Sequence, residues 1–537
     1  MINLELKLKH WTRFCWVTCQ LDVLAKCSSL HQLRKALHSL PTTLEETYNR
    51  ILLCIRKDSR SDVVRLLQWL AFSARPLALS EMAEVFTIDR DKLRFDPDQR
   101  PREPRAILDI CSSLVKVSHT DDGDTISVRG SGTLSLAHLS VKEYLISEQI
   151  GKSPFSYYHL DKRLADFAIS RDCLVYLLQF GTVDCLCDQS EVSISFGCYA
   201  AKYWTNHAQS DDGVIQNDVQ KLVTKLFSSS GVCFNNWIAL FDVERGYGHS
   251  LRTSYNIPHP LYYASLLGLL QTVNELVLGS SLADVNMAGG LFGSALALAS
   301  ARGQKEVVQI LLENEANVNM VEGYYGSALA SASTEGRNEI VQILLENGAD
   351  VNMEGGEYGS ALSSASAFGK KEVVQILLEN GANVNMVGGK YGTVLALASA
   401  FGRKEIAQIL LENGADVNMV EGEYGSALTS ASARGREEIV QILLENGADV
   451  NIMVGGEYGS ALASASAFGQ KEVVQILLDD GANVNMVGGL FGSALASASA
   501  RGQKEVVADP PRERSQREYS RENLRQCTGV GIGFWSK

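Results

Sequence analysis

The stretch VNMEGGEYGSALSSASAFGKKEVVQILLENGAN, Val351 to Asn383, decides how the chain folds, because it recurs. The Asn of its Val-Asn step returns at Asn286, Asn319, Asn352, Asn385, Asn418, Asn451 and Asn485. The spacing is 33 residues, with one of 34 where Ile452 is inserted. A fixed period of that size marks a stacked-repeat architecture. Within the unit, Ser360 stands where a hydroxyl can accept from the free N–H groups of a helix's first turn. The helix it opens runs through Phe368 and is nearly all Ala and Ser, thin enough for close neighbours, and Gly369 breaks it. Glu372 to Leu378 predicts a second helix, apolar over most of its circumference and so covered on more than one side. Gly381 falls where a left-handed residue closes a helix. Gly355 and Gly356 supply a turn between extended arms. The large aliphatics of a single unit fall well short of the entropy its ordering costs, and stacking on like neighbours adds the missing interface.

The period, the capped first helix, "G-x-x-E-V-V-Q-I-L-L" and "N-G-A-D/N-V-N" together resemble ankyrin repeats. The units start near 285, 318, 351, 384, 417, 450 and 484, in an array spanning 255–507 whose opening part, 255–284, is a diverged cap. The resemblance implies an ankyrin-repeat α-solenoid with β-hairpin tips. The usual Thr-Pro-Leu-His start of the first helix reads Ser-Ala-Leu-Ser here, Ser360 to Ser363, so softer units are expected. Val506-Val507 leads into Ala508-Asp509-Pro510-Pro511, and two prolines end any helix. The Arg-rich tail 508–537 is expected to be disordered, and a truncated gene product without a C-terminal cap is expected.

Ahead of the array the fold class is mainly α, with helices and a winged-helix region. Residues 1–58 read as helical. Thr42 with Glu45 fits a reciprocal capping box before Leu44, Tyr48, Ile51, Leu52 and Ile55 at helical spacing. Residues 61–150 read as helices, a hairpin of Ile126–Val128 with Thr133–Ala137 about a glycine turn, and a last helix. Ser80 is expected to cap a helix from Glu81 to Phe86, and Ser140 with Glu143 to form a box on the last one. Residues 151–250 read as a helical connector. The phrases "F-C-W-V-T-C-Q-L-D-V-L", "L-x-x-L-P-T-T-L-E-E-T-Y-N-R-I-L", "L-Q-W-L-A-F-S-A-R-P-L" and "L-A-H-L-S-V-K-E-Y-L" occur in order. Together they resemble the region after the nucleotide-binding domain of fungal NACHT–ankyrin proteins, STAND relatives of NOD-like receptors. That winged helix carries the name of GPI inositol-deacylase without implying deacylase activity. Residues 1–58 would then be a remnant following a NACHT domain, with the nucleotide-binding domain itself absent.

The net charge of −13 belongs to the array: Val285 to Val507 holds 13 Lys and Arg against 26 Asp and Glu, and 13 − 26 = −13. An acidic array is a poor nucleic-acid binder. Eleven cysteines show no paired framework or zinc spacing. No signal-peptide core and no run of 18 apolar residues is present. Cytoplasmic or nuclear residence, no membrane, no nucleic acid, no small-molecule substrate, no metal and no cofactor are expected. Gly151-Lys152-Ser153 lacks the rest of a phosphate loop, with Ile146 where its first Gly belongs. No catalytic set can be assembled, so an enzyme is not expected.

Most unit positions barely change, and stacking explains those. The tip residue does change: Leu291, Tyr324, Glu357, Lys390, Glu423, Glu457 and Leu490 in turn. Beside it runs an aromatic series, Phe292, Tyr325, Tyr358, Tyr391, Tyr424, Tyr458 and Phe491. The end of the first helix varies as Arg302, Glu335, Phe368, Phe401, Arg434, Phe468 and Arg501. By resemblance, tips and first helices form a concave face that binds a protein or peptide ligand, and aromatics and Arg are typical anchors. The aromatic series either packs ring on ring or meets the partner. The helix-end set faces the partner, because a core position would not accept Arg, Glu and Phe alike. The resemblance also gives His138, with Glu143 and Tyr144, a nucleotide-sensing role; a satisfied histidine at a strand–helix junction is the other reading. The function expected is a non-catalytic interaction module of a NOD-like-receptor-type protein. The alternatives are the C-terminal part of an ATP- or GTP-dependent STAND receptor and a DNA-binding winged helix.

Overall fold

The structure, a computed structural model, describes residues 29–32, 34, 41, 43–110, 114–118, 132–182, 191–208, 217–228, 231–244, 257–279, 281–455 and 459–503. It divides into two compact units, Met1–Tyr255 and Asn256–Lys537.

In the first unit, α1 (Leu44–Leu53) is capped by Thr43, whose Oγ1 accepts from the Glu46 N–H at 3.1 Å. The cap therefore lies one residue beyond the expected Thr42, which is outside the described residues; the doubled Thr-Thr and Glu-Glu leave both registers open. Helix α2 (Arg60–Phe72) buries Leu66, Leu67 and Trp69. Strand β1 (Leu77–Ala78) runs directly into α3 (Leu79–Val85), and β2 (Ile88–Asp89) pairs with β3 (Arg94–Phe95). Ser80 does not cap α3. The cap is Ala78, whose N–H donates to the Glu81 carboxylate at 2.9 Å, while Ser80 sits inside the helix with a buried, unpartnered hydroxyl.

After α4 (Ala106–Ile110), β4 (Val115–Ser118) pairs antiparallel with β5 (Thr133–Leu136), Val115 opposite Leu136, in a sheet ordered β1-β5-β4. The strand paired with Thr133–Leu136 is thus 115–118, and the expected arm Ile126–Val128 lies outside the described residues. Alternation of Val115, Lys116, Val117 and Ser118 suits a half-buried strand. Helix α5 (Leu139–Ile146) starts from His138, not from a Ser140–Glu143 box. Helices α6 (Lys162–Leu178), α7 (Glu191–Ala208), α8 (Asn217–Phe227) and α9 (Val232–Leu240) complete this unit. Their aromatics interlock with Trp69: Phe196 lies 5.7 Å and Tyr199 5.5 Å from it, and Tyr176 meets Phe196 at 4.6 Å.

Three buried carboxylates fasten these helices to the preceding ones. Asp172 on α6 takes Arg90 through both oxygens, at 3.0 and 2.5 Å, and the Trp69 indole N–H at 2.9 Å. Glu81 takes Arg75 at 2.8 and 2.7 Å and the Ser195 hydroxyl of α7 at 2.6 Å. Glu84 takes Arg100 and the Tyr176 hydroxyl, each at 2.9 Å. Burial pushes the Glu81 carboxyl up, but its donors outweigh that and hold it below its ordinary value.

The second unit is a run of helix pairs. Its opening pair, Pro260–Leu267 and Leu270–Gly279, is capped by the His259 imidazole and closed by Gly268 in the left-handed region. In the central repeat Ser360 caps Ala361–Phe368 and Gly369 closes it at φ +76°; Lys371–Glu379 follows. The thin first helices approach one another more closely than the second helices do. Val373, Val374 and Leu377 of the second helix are buried between layers. A side-chain clasp repeats at each joint. Asn352 Nδ2 donates to the Gly381 carbonyl at 3.3 Å, and the Asn383 N–H donates to Asn352 Oδ1 at 2.7 Å. Asn319, Asn385 and Asn418 make the same pair of bonds one unit away. The tips are tight loops closed by single bridges such as Glu322 with Gly326 and Glu421 with Gly425.

Candidate interaction surface

The tips are joined by their backbones. The Tyr324 N–H donates to Leu291 O at 2.8 Å, Glu357 to Tyr324 O at 2.9 Å, and Glu423 to Lys390 O at 3.0 Å. These are the variable tip positions, so the backbone of the row is fixed while its side chains differ. Leu291 and Tyr324 are exposed at 49% and 43%. Lys390 and Glu423, both well exposed, lie 3.6 Å apart. Glu357 accepts from the Tyr391 hydroxyl. Hydrogen bonds from Tyr324 and then Tyr391, helped by Lys390, hold the Glu357 carboxyl below its ordinary value. The same carboxylate, with some burial, pushes the Tyr391 hydroxyl up to about 12 and raises Tyr324 as well.

The aromatic series is largely ring on ring. Phe292 stacks on Tyr325 at 5.1 Å, Tyr358 tilts against Tyr391 at 5.6 Å, and Tyr391 stacks on Tyr424 at 5.3 Å. All five rings are half-buried. Packing thus accounts for their inner faces, and their outer edges remain open to solvent.

The helix-end set lies beside these rings. Arg302, Glu335, Phe368, Arg434 and Phe468 are exposed and Phe401 is half-buried. Phe368 meets Tyr358 edge-on at 5.1 Å yet is 38% exposed. Phe401 approaches Tyr424 at 6.4 Å, and the Arg434 guanidinium lies over Tyr424 at 5.6 Å. Arg501 sits over Phe468 at 5.6 Å. Glu457 and Tyr458 lie outside the described residues. The expected positions that are described therefore collect along one edge, where the first helices end against the tips. Val387, which bridges Thr393, and Val487, next to the Gly488–Gly492 bridge, add exposed apolar surface to the tip loops, at 37% and 76%, outside the expected positions. Their signal is the same kind of variation: Glu354 holds that place in the central repeat.

His138 has a structural task. Its Nδ1 accepts from the Ser140 N–H at 3.1 Å and lies 2.7 Å from the Ser140 hydroxyl, which lies 2.7 Å from the Tyr48 hydroxyl. A nitrogen that accepts a backbone N–H carries no proton, so the ring proton is on Nε2. Among the described residues no group of three or more His, Cys, Asp or Glu could hold a metal ion. No described helix is long and apolar enough to cross a membrane.

Residues 261–355, 353–421 and 421–488 each match the family of ankyrin repeats (3 copies), and residues 49–170 match the winged helix domain of GPI inositol-deacylase. The chain therefore carries both modules. The azaphilone pigments biosynthesis cluster protein L of Monascus ruber is 35% identical over 300 residues, covering 53% of this chain and 62% of that protein. The chain thus spans less than two thirds of that relative's length. The human ASB11 ankyrin repeat domain is 29% identical with a TM-score of 0.35, covering 41% of this chain and 100% of that one.

Proposed function

We propose that this protein is a non-catalytic recognition module whose ankyrin array receives a protein or peptide along the tip and first-helix edge. One observation carries the reading. The series that vary at the tips and the first-helix ends, with the rings between them, are exposed or half-buried and touch one another, as Phe368 touches Tyr358 and Arg434 touches Tyr424. The repeated Val373, Val374 and Leu377 are buried, and Asn352 makes the joint. Phe368 and Phe401, bracketed by Glu335 and Arg434, supply the anchor-and-charge mixture that interfaces favour. The reading places the protein in the cytoplasm or nucleus, where the free thiols of Cys54, Cys173, Cys198 and Cys233 stay reduced.

A photo-crosslinking residue in place of Phe368 tests it against one in place of Gln375, exposed on the second helix. In extract from the native host, crosslinks to a discrete partner are expected from the first site and not from the second. Equal crosslinking at both, or none at Phe368, refutes the edge as the receptor surface.

The winged helix preceding the array favours a wider context, a NOD-like-receptor-type signalling protein. His138 keeps Nε2–H available as a phosphate donor while its other nitrogen caps α5. A transcript whose frame extends upstream through Gly-x-x-x-x-Gly-Lys-Ser/Thr supports this context. A 5′ end mapped immediately before Met1 refutes it.

A further inference from the structure

Near-copies of one unit allow the same place to be seen with and without an occupant. In the unit near 417, Arg434 lies over the Tyr424 ring at 5.6 Å, and its Nη2 donates to the Tyr424 hydroxyl at 3.4 Å. In the unit near 318 the corresponding ring is Tyr325, and ten residues on stands Glu335 instead of Arg. Glu335 is exposed, and its carboxylate has no partner among the described residues. No described cation covers the Tyr325 ring, which is held by Phe292 on one side and by the Tyr324 edge at 5.0 Å. Burial and then the Glu335 and Glu357 carboxylates raise the Tyr325 hydroxyl, so both negative charges act on this corner.

We infer that the corner of Tyr325, Glu335 and Glu357 is a socket for an arginine side chain on an extended segment of the partner protein, with Phe368 receiving an apolar neighbour of that arginine. The inference rests on the recognition reading above and adds the partner's chemistry. An incoming guanidinium would take, over Tyr325, the place Arg434 takes over Tyr424, and would find the Glu335 carboxylate beside it, with Glu357, which already accepts from the Tyr391 hydroxyl, adding its charge. Arginine suits such a site because its plane can lie on a ring while its N–H groups donate to carboxylates. The charge of the array acts in the same direction: its 26 acidic against 13 basic residues attract a cationic segment over distances beyond contact. In the next unit Phe368 keeps 38% of its surface exposed, edge-on to Tyr358.

The test uses the full chain and two fluorescent peptides, Gly-Ser-Arg-Gly-Phe-Gly-Ser and the same peptide with Gln for Arg, read by anisotropy at low and moderate salt. The Arg peptide is expected to bind at least tenfold more tightly, with the difference shrinking as salt rises. Glu335→Arg installs a guanidinium over Tyr325 in the manner of Arg434 and should erase the preference. Because it places a cation at a helix C-terminus, the fold should tolerate it, as circular dichroism will verify. Glu335→Gln should cut the preference severalfold without adding a charge. Equal binding of the two peptides to the wild type, or a preference that survives Glu335→Arg, overturns the inference. If crosslinking at Phe368 still captures a partner in that event, the recognition reading stands and only the arginine socket falls.

Discussion

Replacing Glu315 with glycine should make the protein more stable, although it removes a charged side chain and adds no contact. Glu315 occupies the position held by Gly348, Gly381, Gly414, Gly447 and Gly481 in the following units. Those glycines sit at φ +84°, +85°, +85°, +85° and +90°, whereas Glu315 sits at +63°. A Cβ at any of the five meets nothing within 4 Å, so the cost of a side chain there is local backbone strain alone. The neighbouring clasp survives the exchange: Asn286 Nδ2 reaches Glu315 O at 3.4 Å, and the clasps onto Gly348 and Gly381 measure 3.0 and 3.3 Å. A left-handed non-glycine residue costs about 1–2 kcal/mol. Glycine returns about 0.5–1 of that through the entropy of the unfolded chain. The net gain is about 0.5–1 kcal/mol, or about 1–4 °C in melting temperature for a body of this size. Thermal unfolding of the full chain followed by circular dichroism measures it, with Gly381→Glu as the converse and an expected loss of similar size. An unchanged or lower melting temperature for Glu315→Gly, or no loss for Gly381→Glu, would refute the reasoning.

The hydroxyl of Ser366, buried between first helices, has no partner, and Ser300, Ser333, Ser399 and Ser432 repeat it. Ser366→Ala should stabilise by about 1 kcal/mol, since it removes an unsatisfied hydroxyl and improves helix propensity; a destabilised variant in chemical denaturation would show that the hydroxyl is bonded. Asn352→Ala removes both bonds of one clasp and should cost about 1 kcal/mol, with faster hydrogen exchange at the Asn383 amide as the local readout. Glu81 is held below its ordinary value, so its contribution is complete above the unfolded carboxyl range and is lost as pH falls through the lower folded value. Glu81→Gln leaves Arg75 without its charge partner and should cost about 3–5 kcal/mol at neutral pH, with a smaller deficit in acid; a deficit independent of pH would rule out the ion pair as its cause.

The array is legible in the sequence because each unit states the same local rules again: Ser360 as cap, Gly369 as stop, and a left-handed residue at position 381. Glu315 is the sharpest instance, an exception to the glycine rule visible in the sequence and found at positive φ in the structure. The first unit is less legible because its decisive contacts join residues far apart. Nothing near Asp172 announces Arg90 or Trp69, and nothing near Glu81 announces Ser195. Caps also misled where the pattern was satisfied by the wrong group. Glu81 does serve a helix start, but through the N–H of Ala78 with no hydroxyl opposite, and at α5 an imidazole does the work assigned to Ser140. The candidate edge could be located by comparing units, since variation there coincides with exposure. The sequence leaves ring stacking as one of two readings and shows Glu335 in the place of Arg434. That Arg434 lies over its ring, and that the rings do stack, is seen only when the units are set side by side in space.

The unit with the inserted Ile452 carries a lesson about tolerance. Its Asn451 still reaches Gly481 O at 3.3 Å and still accepts from the Asn483 N–H at 2.7 Å. The added residue is taken up within the loop, where Val454 bonds Gly459 across five positions in place of the four separating Gly355 from Gly359. Growth is thus absorbed at the rim and never reaches the seams. A lineage of such chains can lengthen or redecorate its outer loops one at a time while the masonry behind them keeps its pitch.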